Sequence, residues 1–196
     1  MILLRAFIAI EIPQPVKDSL KRTSATLREK IGNSIRWVPV DNMHLTLKFL
    51  SDILLPVVDA LPPLLQTEAG LIPPFEIHVG GLGSFPNWKM PRVLWVGIQA
   101  PAELEALFRG IESACGRLGI EPETRGFSPH LTIGRVKPYS STAERSNIRR
   151  VLESTTIDSL GVARVDSVHL FKSDLKPSGA VYTRLFSVEL RASAVE

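Results

Sequence analysis

Two segments of the chain repeat one alternating pattern of polar and apolar residues. Residues 44–49 read His-Leu-Thr-Leu-Lys-Phe, and residues 130–135 read His-Leu-Thr-Ile-Gly-Arg. Successive side chains of a β-strand point to opposite faces, so His and Thr share one face of each segment while Leu and Ile share the other. Burying His and Thr against an apolar core costs free energy, so a strand face that packs on the core rarely carries them. The two polar faces are therefore expected to line one common cleft.

The length and composition predict a single folded domain over residues 1–196. With 44% hydrophobic residues, the chain can bury a full core as one domain, or as two small lobes that share one. The formal net charge of +3 is a mild excess that favours an anionic partner. The single cysteine, Cys115, cannot form an internal disulfide, so we expect it to be a small core residue in a reducing cytoplasm.

The N-terminal segment 1–11 is apolar, but Arg5 interrupts it and no small-residue cleavage site follows. This segment is predicted as a buried strand and not as a signal peptide. No apolar run elsewhere approaches the roughly 20 residues that a membrane helix needs. We therefore expect a cytoplasmic protein that acts as a monomer and has no membrane partner.

Hydrophobic periodicity predicts strands that often follow one another directly, interrupted by amphipathic helices. The predicted helices are 16–31, 53–69, 101–119 and 142–152, and the predicted strands are 1–11, 35–39, 43–50, 75–80, 92–98, 130–135, 162–172 and 182–190, the last two joined around 177–179. Neighbouring sequential strands argue against a doubly wound parallel sheet. They predict an α+β fold with two pseudo-symmetric lobes of mostly antiparallel sheet and outer helices. The lobes would form a central cleft, each contributing one His-x-Thr motif.

The two histidines suit general acid-base catalysis. His44 and His130 lie far apart in the sequence, so they are neither a local turn feature nor a ligand pair on one helix. Two groups that titrate near neutral pH can take a proton from an attacking group and give one to a leaving group. Thr46 and Thr132 each follow two residues later, where a hydroxyl beside the imidazole can hold an oxyanion.

Three other chemistries lack the residues that they need. No Asp or Glu shares the strand face of either histidine, and the chain has no HExxH, HxH or Cys cluster for metal hydrolysis. No GxSxG elbow is present for a nucleophilic serine, and the Gly-rich segment 80–86 lacks the Lys and the spacing of a P-loop. The residues predict no metal and no cofactor. They favour in-line displacement at an activated centre such as a phosphodiester.

Tandem His-x-Thr-x motifs on strands resemble the 2H phosphoesterase superfamily, and within it the RNA 2',3'-cyclic phosphodiesterases, the LigT-like or 2'-5' RNA ligase family. The resemblance extends over nearly the whole chain. It rests on residues 5–10 (RAFIAI), 35–39 (IRWVP), 42–50 (NMHLTLKFL), 80–86 (GGLGSFP), 91–97 (PRVLWVG) and 127–135 (FSPHLTIGR). The family's fold, two α+β lobes around a cleft, agrees with the predicted architecture.

The resemblance implies RNA with a 2',3'-cyclic phosphate end as the substrate and an RNA 2'-phosphate as the product. His44 would donate a proton to the leaving O3', and His130 would be the base that activates water. Thr46 and Thr132 would hold the phosphate oxygens. Because the two motifs are nearly interchangeable, spacing alone does not assign the acid and the base. Ring strain in the cyclic ester explains why no metal would be required.

Two basic residues accompany the motifs. Lys48 shares the alternation of His44 and Thr46, so it is predicted to add positive charge near the phosphate. Arg135 alternates with the apolar residues of its segment, away from His130, and would reach the cleft only through strand twist or strand termination. The family commonly has Arg at this position. Arg135 is therefore predicted as a phosphate or RNA contact.

The connection that follows residue 80 mixes aromatic and basic side chains. Its glycines are expected to serve a turn or a bulge. Aromatic rings stack on bases and basic groups follow the nucleic-acid backbone. One interpretation is that this connection contacts RNA. The other is that its aromatic side chains belong to the core and its basic side chains are solvated at the rim. The residues concerned are Phe85, Trp88, Lys89 and Arg92.

Several other residues are expected to be structural. Phe7 and Tyr182 are predicted mainly as packing residues, with base stacking as the alternative. His78 and His169 lack the Thr two positions later and are predicted as ordinary strand histidines. Ser51 stands where the resembled family usually has Gly after the first motif, a departure that concerns the geometry of the turn and not the chemistry.

Three other functions stay open at this point. The same two histidines could join RNA ends through a 2'-5' linkage, because microscopic reversibility serves both directions, and a joined product would identify this activity. A small-molecule phosphodiesterase acting on a cyclic nucleotide is the second. A non-catalytic RNA-binding module is the third, although such a module would need Arg and Lys more than imidazole. Binding of a cyclic end without turnover would identify it.

Overall fold

A computed structural model describes residues 3–177 and 179–191. The strands are β1 (Leu3–Glu11), β2 (Ile35–Trp37), β3 (His44–Leu54), β4 (Phe75–Phe85), β5 (Val93–Gln99), β6 (His130–Val136), β7 (Gly161–Val165), β8 (Ser167–Lys176) and β9 (Gly179–Glu189). The helices are α1 (Gln14–Ile31), α2 (Leu55–Gly70), α3 (Ala102–Arg117) and α4 (Thr142–Glu153). Met1 and Ile2 of the predicted first strand and Ser178 of the predicted 177–179 turn lie outside the described residues.

All of these strands belong to one sheet that curls into a half-barrel, in the order β7-β4-β5-β6-β3-β1-β8-β9 with β2 paired to β6. Every pairing is antiparallel. We call the half formed by β3, β1, β8 and β9 lobe 1, and the half formed by β6, β5, β4, β7 and β2 lobe 2. The predicted α+β class, with two antiparallel lobes and outer helices, is confirmed.

The helices cover one face of the sheet and leave the other, which we call the open face, to solvent. α2 and α3 pack on lobe 1, whereas α1 packs on lobe 2 with α4 beside it. In α1, Val16, Leu20, Leu27 and Ile31 recur at helical spacing and are buried in the core that the helices share with the sheet. In the described part of the chain, no helix is long and apolar enough to span a membrane.

In the part of the chain that the structure describes, β3 and β6 pair at one position, Leu45 with Leu131, and the two lobes join there. Both leucines are fully buried in the core, so the residues on either side of them point to the open face. Because the strands are antiparallel, continuing the register by one residue puts each histidine opposite the threonine of the other motif. The two polar faces predicted from the sequence therefore adjoin across the junction of the lobes.

A β-bulge follows the threonine of each motif and reverses the alternation beyond it. The register of β3 against β1 shifts at Leu47, and that of β6 against β5 shifts at Ile133. Leu47 and Lys48 are consequently both buried, and Phe49 turns to the open face with 63% of its surface exposed. The prediction that Lys48 shares the face of the histidine is wrong for this reason. The second bulge returns Arg135 to the open face.

Several predicted element boundaries are also wrong, and two of them change the layout of the sheet. The predicted strand 162–172 is two strands, because the chain crosses from lobe 2 to lobe 1 at Asp166. The predicted connection after Gly80 is the second half of β4, which continues to Phe85. The glycine signal there marks a bulge, as expected: the register shifts at Gly81, whose φ is 75°.

Ser51 of β3 adopts a left-handed backbone conformation, with a φ of 58°. A residue with a side chain loses roughly 1–2 kcal/mol in this region, whereas glycine adopts it freely. We expect Ser51→Gly to raise the free energy of unfolding by up to about 1 kcal/mol, since the greater entropy loss of glycine offsets part of the gain. Chemical denaturation measures this change. The control Ser173→Gly, at an ordinary strand position of β8, should destabilise, and a similar loss at Ser51 would contradict the backbone argument.

Candidate active site

His44 begins β3, and its ring is fixed from three sides. Nδ1 donates a hydrogen bond to the carbonyl oxygen of Asn42 at 2.8 Å, so Nε2 is the nitrogen available to a substrate. Phe7 stacks on the ring with the centroids 4.6 Å apart, and Tyr182 meets it edge-on at 5.2 Å. A carbonyl can only accept a hydrogen bond, so this contact fixes both the orientation and the tautomer of the neutral imidazole.

His130 begins β6 and is fixed in the same way. Its Nδ1 donates to the carbonyl oxygen of Ser128 at 2.7 Å, again two residues earlier in the chain. Phe85 meets the ring edge-on at 4.9 Å, and Trp95 lies 6.1 Å away. The indole of Trp95 lies directly over Gly83, where a Cβ would come within 2.2 Å of it. The absence of a side chain at Gly83 thus leaves room for the Trp95 indole near His130.

Four polar side chains form one patch on the open face: His44, Thr46, His130 and Thr132. All four are half-buried. Diagonal neighbours on one face of an antiparallel pair lie about 7–8 Å apart, and the two histidines occupy such diagonal positions. This spacing leaves room for a tetrahedral phosphate between the imidazoles with one threonine on each side.

The two histidines differ in their charged neighbours. Burial is the largest cause of a low pKa in both, and it takes the pKa of His44 to about 4. Glu11 of β1 lies opposite His44 in the sheet and acts to raise that pKa. Arg135 acts to lower the pKa of His130 further. Both imidazoles are therefore neutral at pH 7 in the free protein, but only His44 has an anion beside it.

Glu11 is a site residue that the sequence did not reveal. It ion-pairs with Arg184 of β9 and lies 4.0 Å from Nε2 of His169. Burial acts to raise the pKa of Glu11, but Arg184, with smaller contributions from His169 and Lys17, outweighs burial and leaves the pKa lowered. His169 is itself buried on the open face, with Nδ1 2.8 Å from the hydroxyl of Ser187. This histidine, predicted as an ordinary strand residue, lies beside Glu11 but beyond hydrogen-bond distance, and the ion pair with Arg184 holds the carboxylate near His44.

Lys48 lies behind the site and not in it. Its ammonium group is buried, 2.8 Å from Oε2 of Glu112 on α3 and 2.7 Å from the carbonyl oxygen of Glu121. Glu121 belongs to the segment that connects α3 to β6. Lys48 therefore ties the strand of the first motif to the segment that leads into the second, and the predicted phosphate contact is replaced by a structural ion pair.

Aromatic side chains line the open face of lobe 1. Phe7 stacks on Phe171 with the centroids 5.3 Å apart and meets Tyr182 edge-on at 5.0 Å. Phe49, which strict alternation assigned to the core, lies 6.4 Å from Phe7 on the same face. Phe49 occupies in lobe 1 the position that Arg135 occupies in lobe 2, five residues after the histidine.

The other residues singled out in the sequence lie elsewhere. Trp88 and Lys89 line a surface cavity of about 560 Å³ beside α4 that includes neither motif histidine. His78 is exposed on β4. Cys115 is fully buried in α3, and burial raises the pKa of its thiol to about 11. Within residues 3–177 and 179–191, no three His, Cys, Asp or Glu side chains are grouped to hold a metal ion.

Comparison with known proteins adds independent evidence. The profile of the family described as LigT like phosphoesterase matches twice, over residues 10–95 and 96–182, so each match contains one His-x-Thr motif. A Methanothermobacter thermautotrophicus protein named RNA 2',3'-cyclic phosphodiesterase is 31% identical over 180 residues, which cover 92% of this chain and 95% of that protein. A Thermotoga maritima protein of the same name is 30% identical over 192 residues, 98% of each.

Solved structures agree with these matches. A crystal structure of a Thermus thermophilus protein superposes with a TM-score of 0.81 at 28% identity, over 96% of this chain and 99% of that one. Escherichia coli LigT complexed with 3'-AMP superposes with a TM-score of 0.71 at 26% identity, over 96% and 98%. With its two-lobed fold, its paired motifs and both kinds of match, the chain belongs to the LigT-like phosphoesterase family.

Proposed function

We propose that this protein hydrolyses the 2',3'-cyclic phosphate end of RNA to a 2'-phosphomonoester by two-histidine acid-base catalysis that needs no metal ion. The observation that supports this most is the matched pair of imidazoles. Each donates a hydrogen bond from Nδ1 to the backbone carbonyl oxygen two residues earlier. Relatives at about 30% identity bear the name of this activity. Escherichia coli LigT was crystallised with phosphate and with 3'-AMP, which resemble two parts of such a substrate.

In the proposed reaction the phosphate lies between the imidazoles, with its non-bridging oxygens held by the hydroxyls of Thr46 and Thr132. Neutral His130 takes a proton from water as the water oxygen bonds to phosphorus in line with O3'. The P–O3' bond breaks, and protonated His44 gives its proton to O3'. The P–O2' bond remains, so the product is a 2'-phosphate. Each positioned acid or base typically contributes about 10²- to 10⁴-fold to the rate.

The charged neighbours support His44 as the acid. An acid must hold a proton before the reaction, and the carboxylate of Glu11 favours the imidazolium form of His44. A base must be neutral, and the guanidinium of Arg135 favours the neutral form of His130. The bound phosphate adds a negative charge between the two rings and raises the pKa of both. This negative charge acts against the burial that lowers the pKa of His44 to about 4 in the free protein.

The Glu11→Gln variant tests this division of roles through the pH dependence of kcat/KM. At a pH above both imidazole pKa values the rate follows the protonated fraction of the acid, and below both it follows the neutral fraction of the base. Loss of Glu11 lowers the pKa of His44, so we expect several-fold to about tenfold lower kcat/KM on the alkaline side and little change on the acidic side.

Glu76→Gln, at an exposed position of β4, is the matched control and should leave both sides unchanged. If His44 were the base, Glu11→Gln would instead raise kcat/KM on the acidic side and spare the alkaline side. That result would reverse the assignment while leaving the two-histidine mechanism intact.

The activity itself is tested with a short RNA that ends in a 2',3'-cyclic phosphate, in buffer containing EDTA. We expect a phosphomonoester end to form at the same rate with and without the chelator. The same RNA with a free 3'-hydroxyl end is the control and should not react. Failure to open the ring, or loss of activity in EDTA, would contradict the proposal.

A further inference from the structure

Two arginines stand directly opposite each other on neighbouring strands of lobe 2. Arg36 of β2 pairs with Arg135 of β6, and both side chains are exposed. Neither guanidinium forms an ion pair with any carboxylate in the part of the chain that the structure describes. Like charges directly opposite each other in a sheet are destabilising. No carboxylate of the described part of the chain therefore neutralises the repulsion between Arg36 and Arg135.

Both arginines lie on the open face, the face of the two histidines. Ile35 is buried in the core, so the next residue of β2, Arg36, points the other way. Arg135 is brought to this face by the bulge in β6 and lies opposite Val93 of β5, which alternates with Trp95 beside His130. Arg135 also acts to lower the pKa of Tyr182 across the cleft in lobe 1, although burial leaves that pKa raised overall.

The distance from the reacting centre suits a neighbouring phosphate. Arg135 lies three residues beyond Thr132, which is roughly 10 Å of strand. Arg36 lies on the edge of β6 that faces β3, because β2 pairs with residues 134–136 of β6 beyond the point where β3 pairs with Leu131. Guanidinium groups bind phosphate oxygens in pairs of hydrogen bonds, so two arginines that extend from opposite positions on one face can bind the same phosphate.

We propose that Arg36 and Arg135 form a second phosphate site, which binds the phosphodiester that links the terminal nucleotide to the one before it. The proposal rests on the proposed function. It names RNA chain ends of two or more nucleotides as the preferred substrate class, over free nucleoside 2',3'-cyclic phosphates. The bound phosphodiester supplies the negative charge that the opposed guanidinium groups lack.

Two matched substrates test the site in the intact protein. One is a nucleoside 2',3'-cyclic phosphate with a free 5'-hydroxyl, and the other is a dinucleotide that ends in the same cyclic phosphate and adds one phosphodiester. We expect Arg36→Gln to lower kcat/KM for the dinucleotide by roughly tenfold and to leave kcat/KM for the mononucleotide unchanged. The dependence of the dinucleotide rate on salt should become shallower, since one phosphate contact is lost.

Arg109→Gln removes the same charge from an exposed position of α3, on the helix side of the sheet, and serves as the control. The melting temperature of Arg36→Gln should be unchanged or higher, because a like-charge contact is removed. Equal losses on both substrates, or no loss on either, would overturn the second phosphate site.

A binding measurement separates failure of this site from failure of the proposed function. Titration with a dinucleotide that ends in a 2'-phosphate requires no turnover. The wild-type protein should bind it more tightly than Arg36→Gln does, and both proteins should bind the corresponding nucleoside 2'-phosphate equally. If the wild-type protein hydrolysed neither cyclic substrate, the proposed activity would be wrong, whereas equal binding of the dinucleotide by both proteins would overturn the second site alone.

Discussion

The variants His44→Ala and His130→Ala should each lower kcat on cyclic-ended RNA by about 10²- to 10⁴-fold. Each removes one proton-transfer partner, while the two threonines and the other imidazole remain to bind the phosphate. The double variant should lose little more than the worse single variant, because acid and base act as one unit. Single-turnover rates with the cyclic-ended RNA measure these losses apart from substrate binding.

His78→Ala is the matched control, since it removes an exposed strand histidine from the same sheet. It should retain near wild-type kcat. A near-normal kcat in either motif variant would contradict two-histidine catalysis. Binding of a 2'-phosphate product should survive in both motif variants, which shows that the loss lies in the chemical step and not in folding.

The second large effect is on stability. Lys48→Met leaves Glu112 without its partner on α3, where only 15% of the Glu112 side chain is exposed. Removing one member of a buried ion pair typically costs about 3–5 kcal/mol. We therefore expect a loss of unfolding free energy of about this size, measured by chemical denaturation, with near-normal kcat at temperatures where the variant stays folded.

The double variant Lys48→Met with Glu112→Leu should recover most of this loss, because no uncompensated charge remains in the core. Such recovery would assign the effect to the ion pair itself. If Lys48→Met instead retained full stability and raised KM for cyclic-ended RNA, Lys48 would be a substrate contact after all, and the structural role of its ion pair would be wrong.

The central residues of the site could be predicted because they depend on local alternation alone. His44 with Thr46 and His130 with Thr132 each lie within a regular part of one strand, where a period of two assigns the face directly. Leu45 and Leu131 then had to be core residues, and they are the pair at which the lobes join. The repetition of the pattern indicated two lobes before any strand order was known.

The alternation failed at Lys48, Phe49 and Arg135 for one physical reason. A bulge adds a residue to one strand and shifts every later side chain to the other face. The residues at the first bulge, Leu47 and Lys48, are ordinary strand residues and do not indicate a bulge in the sequence. The same bulge occurs at the same offset in both motifs, so an error in one strand was repeated in the other.

Glu11 and Arg36 were missed because their roles depend on which strands are neighbours. Glu11 reads as the polar end of an apolar strand until β1 is aligned with β3. Arg36 reads as a solvated residue until β2 is seen to pair with β6 at Arg135. Cross-strand partners are set by topology and register, which a single sequence specifies only through the whole fold.

The most direct test of the two-histidine mechanism follows the bond that breaks. A short RNA with a 2',3'-cyclic end is hydrolysed in ¹⁸O-enriched water containing EDTA, and the product isomer and its isotope content are determined. We expect a 2'-phosphate that carries one oxygen from water, formed at a rate that either motif variant reduces by at least about 10². A 3'-phosphate product, or hydrolysis that persists in the His44→Ala and His130→Ala variants, would contradict the mechanism.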